Sequence, residues 1–196
     1  VEWFKTRGIT QRTLDDLCVT TGEEFMPQTG QKENTIQFNY IMGDELINVK
    51  YRDGRKNFKL YKGAEKIFYN INSIVGYDWC VITEGEMDAL ALHEAGIKNV
   101  ISVPNGATLN SNNLDYLDNC IDYFEDKNKI ILAVDADEAG QALRYELIRR
   151  LGAEVCYLVD FNGNKDANDF LVEHGAEELR KVITSATQVP LEGVST

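Results

Sequence analysis

The chain has 196 residues, 43% of them hydrophobic and 27% charged, a composition typical of a globular protein with one or two domains. No apolar run approaches the ~20 residues of a membrane-spanning helix, and we expect a cytoplasmic protein. The four cysteines lack C-x-x-C spacing, so we expect reduced thiols and no zinc.

The formal net charge of −12 is unevenly distributed. Up to residue 75 there are 11 Lys+Arg and 10 Asp+Glu, which leaves 9 of the 20 basic and 22 of the 32 acidic residues for the remainder. Within 50–66 there are seven basic residues and two acidic ones. Such a stretch is where a polyanion would bind, although the same pattern is typical of a solvated hairpin face.

The first part of the chain predicts a small α+β subdomain. Helical periodicity predicts two short helices within residues 1–19, the second capped by Thr10. Residues 22–34 are polar and include Pro27 and Gly30, which predicts a loop. Residues 35–40, 45–51 and 57–61 alternate polar and apolar between turn signals, which predicts an antiparallel meander. Residues 67–74 then lead out of this subdomain.

From residue 77 onward, buried strands alternate with helices. The predicted strands are 80–83, 100–103, 130–134 and 154–159, and the predicted helices are 87–94, 114–124, 138–151, 168–173 and 176–185. Right-handed crossovers between such strands give a doubly wound parallel sheet with helices on both faces. We therefore predict an N-terminal subdomain at 1–76, an α/β domain at 77–185 and a tail or linker at 186–196.

Two carboxylates follow the central strand at 130–134. Side chains alternate along a strand, so Asp135 and Asp137 should point the same way at its carboxyl end, where open α/β sheets bind ligands. Two carboxylates at such a short distance raise each other's pKa unless a cation lies between them. The pair therefore indicates a divalent metal.

Three alternatives explain part of this pattern. Asp137 is a favoured N-cap for the following helix, although capping leaves Asp135 unexplained. A calcium-binding EF-hand loop is matched at positions 1, 3, 6 and 12 by Asp135, Asp137, Gly140 and Glu146. However, Ala139 cannot be the ligand at position 5, and a strand precedes the loop where an EF-hand needs a helix. The third alternative is the D-x-D motif of aspartyl-phosphate phosphatases. That motif normally lies on the first strand of its domain, whereas here another strand with an acidic end precedes it.

Acidic residues also follow two other predicted strands. The strand at 80–83 runs into Glu84, with Asp88 one helical turn later, and Asp166 follows the strand at 154–159. Parallel strands align their carboxyl ends, so these carboxylates should meet those of the central strand. Acidic groups gathered without basic partners destabilise a fold unless metal neutralises them. The sequence therefore predicts a metal site at this edge of the sheet.

The sequence motifs at these strand ends resemble those of the TOPRIM domain, which is shared by primases, topoisomerases and some nucleases. The longer matches resemble the phage primase-helicase family and its mitochondrial relative Twinkle. They are Val81-Ile82-Thr83-Glu84-Gly85-Glu86-Met87-Asp88-Ala89-Leu90, Asn105-Gly106-Ala107, Asp135-Ala136-Asp137-Glu138-Ala139-Gly140, Lys165-Asp166-Ala167-Asn168 and the basic stretch Lys50-Tyr51-Arg52-Asp53-Gly54-Arg55-Lys56-Asn57-Phe58-Lys59. The resemblance covers the chain from about residue 35 onward.

The resemblance implies a DNA primase that makes short RNA primers on single-stranded DNA from ribonucleoside triphosphates. It implies two ions of Mg²⁺ or Mn²⁺, held by Glu84, Asp88, Asp135, Asp137 and Asp166. Glu84, Lys50 and Lys56 would be catalytic, with Glu84 as the base or metal-bridging group. The triphosphate or template would meet Lys50, Arg52, Lys56, Lys59, Asn105 and Gly106.

Three departures from the family pattern affect what we expect of the whole protein. The chain lacks the ligand spacing of the family's zinc-binding domain and the G-x-x-x-x-G-K-[ST] loop of its helicase. It keeps the acidic residues that animal Twinkle proteins have lost. We therefore expect the RNA-polymerase part of a longer primase, working with a helicase and a zinc-binding domain at the replication machinery. A TOPRIM nuclease or topoisomerase fragment, or a non-catalytic single-strand-binding module, remains the alternative.

Overall fold

Two β-sheets make up the fold, one antiparallel and one mainly parallel, in a computed structural model that describes residues 2–107 and 114–190. Two short helices come first, α1 (Glu2–Thr6) and α2 (Gln11–Asp16), as the periodicity predicts. The antiparallel sheet follows in chain order, with β1 (Val19–Met26), β2 (Gln31–Met42), β3 (Glu45–Asp53) and β4 (Phe58–Leu60). The predicted α+β subdomain with its antiparallel meander is confirmed.

The loop predicted at 22–34 is wrong, because most of it forms a hairpin between β1 and β2. The two strands pair from Val19 opposite Phe38 to Met26 opposite Gln31. At the turn, the backbone N–H of Gly30 donates to the carbonyl of Met26 at 2.9 Å. β1 is an edge strand in which every residue except Met26 is exposed or partly exposed, so its polar composition is compatible with a strand.

The second sheet has the strand order β6-β5-β7-β8-β9. Its strands are β5 (Trp79–Thr83), β6 (Val100–Ser102), β7 (Lys129–Ala133), β8 (Cys156–Leu158) and β9 (Thr187–Gln188). The first four are parallel, as predicted. β9 pairs antiparallel with β8 and lies in the segment that we predicted as a tail. We propose that the second domain begins near residue 77 and extends through β9.

Helices cover both faces of the parallel sheet. They are α3 (Glu86–Glu94), α4 (Asp115–Asp118), α5 (Glu138–Leu151), α6 (Ala167–His174) and α7 (Ala176–Thr184). α3 packs against α6 and α7. The connection from β7 to β8 runs along the sheet in the opposite direction to the connection from β5 to β6, so right-handed crossovers put α5 on the opposite face from α3. The helix predicted at 114–124 is instead α4 followed by a 3₁₀ helix (Ile121–Phe124), because Cys120 leaves helical geometry between them. No helix within the described ranges has the length and apolar character needed to cross a membrane.

The segment at 67–74 joins the two sheets through a shared core. Its fully buried side chains are Ile67, Phe68, Tyr69, Ile71 and Ile74. Tyr69 exchanges two backbone hydrogen bonds with Ser102 of β6, with N···O distances of 2.8 and 3.2 Å. The Tyr69 ring lies 5.8 and 5.2 Å from the ring centroids of Phe38 and Tyr40 on β2. The antiparallel and parallel sheets are therefore packed together as one unit.

Replacing Tyr69 with Ala should lower the free energy of unfolding by about 3–5 kcal/mol, the usual cost of emptying a buried aromatic site. Urea denaturation followed by circular dichroism would measure this loss. The matched control is Tyr61→Ala, because Tyr61 is 61% exposed. Equal losses for the two variants would contradict the role of Tyr69 at this junction.

Candidate active site

The carboxyl ends of β5 and β7 lie side by side in the parallel sheet. These strands pair up to Thr83 opposite Ala133, and the chain leaves them toward opposite edges of the sheet. Glu84 follows β5 directly, and Asp135 lies two residues beyond the end of β7. Both residues therefore stand at the point where strand order reverses, which is where open α/β sheets bind ligands.

Three aspartates meet at this point. Asp88, Asp135 and Asp166 each offer a carboxylate oxygen, and these oxygens all lie within 4.8 Å of one another. They come from α3, from the end of β7 and from the residue that caps α6. Asp88 and Asp135 are buried. Hard carboxylate oxygens at this spacing fit a divalent cation such as Mg²⁺ or Mn²⁺.

Burial and repulsion by neighbouring carboxylates raise the pKa values of Asp88 and Asp135. Burial, followed by the charges of Asp166 and Asp135, raises the pKa of Asp88 well above its usual value. Burial, followed by the charges of Glu84 and Asp166, raises the pKa of Asp135 to about 7. The Lys165 ammonium, 3.6 Å from Asp135 Oδ2, offsets only part of this repulsion. A bound cation would stabilise the ionised forms of these carboxylates.

Glu84 lies next to the triad. Its Oε2 accepts the backbone N–H of Asp135 at 3.2 Å, and its Oε1 accepts that of Ala107 at 3.3 Å. Burial is the main cause that raises the pKa of Glu84. Gly140 packs tightly here, since a Cβ at that position would lie 2.2 Å from the carbonyl oxygen of Asp135. The glycine after the acidic motif thus lets α5 begin close to the carboxylates.

Asp137 caps α5, which is the role that the capping alternative gave it. Its Oδ1 accepts the backbone N–H of Gly140 at 2.8 Å. The structure does not place it among the three closely spaced aspartates. Glu146, the twelfth position of the EF-hand pattern, lies far along α5 and pairs with Arg149 at 2.9 Å. That arrangement gives the EF-hand alternative no support.

The antiparallel sheet forms the opposite wall of a cleft of about 580 Å³. Lys50 and Arg52 are two residues apart on β3 and so share one face of the sheet, where Phe58 on β4 is paired with Arg52. The cleft brings most of the predicted site residues together. They are Lys50, Arg52, Lys59, Glu84, Asp88, Asn105, Gly106, Asp135 and Asp166.

The structure directs two of the predicted basic residues away from the acidic triad. Lys59 borders the cleft, but its backbone is paired with Tyr51, which faces the opposite side of the sheet from Arg52. Its ammonium pairs with Glu24 at 2.7 Å. Lys56 lies in the turn between β3 and β4 at φ +63° and lines a different cavity.

Glu86 is a residue of the cleft to which the sequence gave no role. Its buried carboxylate lies 2.9 Å from the ammonium of Lys50 and accepts a hydrogen bond from the hydroxyl of Tyr40. Burial, followed by the Glu86 charge, raises the pKa of Tyr40 well above its usual value. The ion pair thus links β3 to the start of α3. The one sequence signal that could indicate a basic partner for Glu86 is its position as the first residue of a largely apolar helix.

Relatives of the chain include plant and bacterial proteins. Residues 81–171 match the family model described as Toprim-like. The primase homolog protein of Arabidopsis thaliana is 36% identical over 208 residues, which cover 97% of this chain and 60% of that protein. The chloroplastic/mitochondrial Twinkle homolog protein of Arabidopsis thaliana is 32% identical over 210 residues, which cover 98% of this chain and 29% of that protein. The chain thus spans only part of the length of these relatives.

The fold is similar to that of the primase fragment of the bacteriophage T7 primase-helicase protein. The TM-score is 0.77 at 23% identity, over 91% of this chain and 72% of that fragment. This confirms the predicted α/β architecture. A Toprim-like domain implies use of a divalent metal, and the aspartate triad has the ligand chemistry for one. Residues 81–171 thus form a Toprim-like domain, within a chain that is similar over nearly its whole length to the plant primase homolog and Twinkle homolog proteins.

Proposed function

We propose that this chain is the RNA-polymerase part of a DNA primase, which makes short RNA primers on single-stranded DNA. The observation that carries the proposal is the aspartate triad facing the cations of β3 across one cleft. Nucleotidyl transfer needs both elements, since the triphosphate must be held and its developing charge neutralised. The similarity to primase relatives supports the same function.

The acidic side of the cleft would hold two ions of Mg²⁺ or Mn²⁺. Such ions supply charge neutralisation at the phosphates and a more acidic attacking hydroxyl. Asp88, Asp135 and Asp166 are the proposed ligands, joined by Oδ2 of Asp137, since its cap uses Oδ1. Glu84 is the proposed base or bridging group, because its raised pKa suits it to accept a proton from the 3′-hydroxyl.

The basic side would hold nucleotide and template phosphates. Lys50 and Arg52 line the cleft, and we propose that Lys50 contacts the triphosphate and Arg52 a template phosphate. Asn105 and Gly106 line it from the loop after β6 and are proposed to contact the nucleotide. Lys56 and Lys59 lie farther from the triad, so we propose template contacts for them rather than a catalytic role.

The full protein would add parts that this chain does not span. We propose an attached helicase and a zinc-binding domain, and a place at the replication machinery in the cytoplasm. The greater length of the relatives supports further domains.

Replacing Asp135 with Asn should reduce dinucleotide synthesis at least about a hundredfold, because metal-ion catalysis contributes several kcal/mol to such reactions. The assay would use ribonucleoside triphosphates, Mg²⁺ or Mn²⁺ and single-stranded DNA templates, with and without a supplied dinucleotide. Asp122→Asn is the matched control, since Asp122 is an exposed acid outside the cleft. Full synthesis by the Asp135 variant would contradict the assignment. Cleavage of labelled DNA with metal but no nucleotides would favour a nuclease instead.

Without divalent metal, the free energy of unfolding should fall as the pH rises from about 4 to about 7. The folded-state pKa of Asp135 is about 7, against an unperturbed 3.8, so the folded chain keeps a proton that the unfolded chain releases. The stabilisation from this proton is complete at pH values below the unfolded-state pKa of 3.8 and is lost as the pH rises through the folded-state pKa of about 7. Each pKa unit corresponds to about 1.4 kcal/mol.

Urea denaturation in EDTA at pH 5, 6, 7 and 8 would measure this loss. Asp135→Asn should flatten the pH profile, and Mg²⁺ should restore stability to the unmodified chain at pH 8. A metal-free profile that is flat or rises with pH would contradict the electrostatics described for the triad.

A further inference from the structure

A second cavity adjoins the cleft along the antiparallel sheet. It has a volume of about 650 Å³, and its lining includes Trp3, Ile36, Arg52 and Lys56. Arg52 lines both this cavity and the acidic cleft. The Arg52 side chain therefore stands at the boundary between them, and a ligand leaving the cleft in this direction would pass over it.

The guanidinium of Arg52 lies between two aromatic rings. Its Cζ is 4.3 Å from the ring centroid of Trp3 and 5.9 Å from that of Phe58. Arg52 is only 9% exposed, yet within residues 2–107 and 114–190 it has no salt bridge to a carboxylate. Its positive charge is thus held by aromatic contact and remains available for an anionic ligand.

Both aromatic rings present a free surface. Trp3 is 38% exposed and Phe58 is 44% exposed. Phe4, which is buried, anchors the short helix that carries Trp3, and the pairing of Arg52 with Phe58 holds β4 in place. The backbone that carries each ring is therefore held in place, while both residues keep part of their surface in solvent. Rigid aromatic surfaces beside a cation are the means by which proteins stack the bases of single strands and contact their phosphates.

Two acidic residues, Asp53 and the exposed Glu23, line the second cavity together with Arg52. Asp53 lines the second cavity, but its carboxylate accepts the backbone N–H groups of Arg55 and Asn57 at 2.8 and 2.9 Å. Its other oxygen accepts the side-chain amide of Asn57 at 2.8 Å. Asp53 thus serves to hold the turn between β3 and β4, and Arg52 keeps its charge toward the cavity.

We propose that a single strand of DNA leaves the acidic cleft over Phe58 and Arg52 and stacks a base against Trp3 at the second cavity. This inference rests on the proposed primase function and defines a path for its template. Bases stack on Trp3 and Phe58, and the guanidinium of Arg52 meets the phosphate between them. Stacking of this kind tolerates any sequence, because every base has a ring face.

Tryptophan fluorescence gives a direct test, since the chain has two tryptophans. In a Trp79→Phe variant, Trp3 is the sole tryptophan. Adding a 20-nucleotide oligothymidylate with Mg²⁺ but no triphosphates should quench the emission of this variant to a saturating value. The reciprocal Trp3→Phe variant, which keeps Trp79 in β5, should show no saturating change.

Fluorescence anisotropy of the labelled oligonucleotide measures the contribution to binding. Trp3→Ala and Phe58→Ala should each weaken binding about tenfold, in line with the stacking energy of one base. The control is Tyr145→Ala, because Tyr145 is an aromatic residue 67% exposed on α5, and its affinity should match that of the unmodified chain. Circular dichroism would verify the fold of each variant.

Unchanged affinity in the Trp3 and Phe58 variants, together with unquenched Trp3 emission, would overturn this path. Primer synthesis by the unmodified chain would in that case still stand, so the loss would concern the path alone. Absence of both DNA binding and dinucleotide synthesis in the unmodified chain would overturn the proposed function and this inference with it.

Discussion

The buried carboxylates at the carboxyl ends of β5 and β7 repel one another, and much of the surrounding structure offsets that repulsion. The backbone N–H of Asn168 donates to Asp88 at 3.0 Å, and that of Asp169 donates to Asp166 at 2.8 Å. Both donors belong to the first turn of α6, where unpaired N–H groups and the helix dipole favour negative charge. α6 therefore stabilises an acidic cluster whose remaining charge a bound metal would neutralise.

The ion pair between Lys50 and Glu86 connects this acidic edge to the other sheet. A buried pair of this kind adds little net stability, whereas losing one partner leaves a charge buried without compensation. Its structural effect is to hold the Lys50 ammonium at the start of α3. Glu86, its partner there, is two positions from both Glu84 and Asp88 in the sequence. The Lys50–Glu86 ion pair thus connects the two walls of the cleft directly, in addition to the hydrophobic core that they share.

The sequence was sufficient to predict the parallel strands and the meeting of Asp88, Asp135 and Asp166, because apolar runs ending in acid specify both strand direction and strand end. It failed where position depends on distant partners. The polar strand β1 is stable only as an edge beside β2, and its composition alone resembles a loop. The separation of Lys59 from Arg52 follows from the register of β3 and β4, and the role of Glu86 depends on a lysine 36 positions earlier.

The junction at 67–74 has a consequence for how the cleft meets its ligands. Because Tyr69 is bonded to β6 and packed against β2, the sheets cannot rotate about a hinge at this segment without breaking buried contacts. The spacing between the cations of β3 and the acidic edge is therefore set when the chain folds, before any ligand arrives. Such preorganisation removes the reorganisation energy that a hinged cleft would require each time a ligand binds.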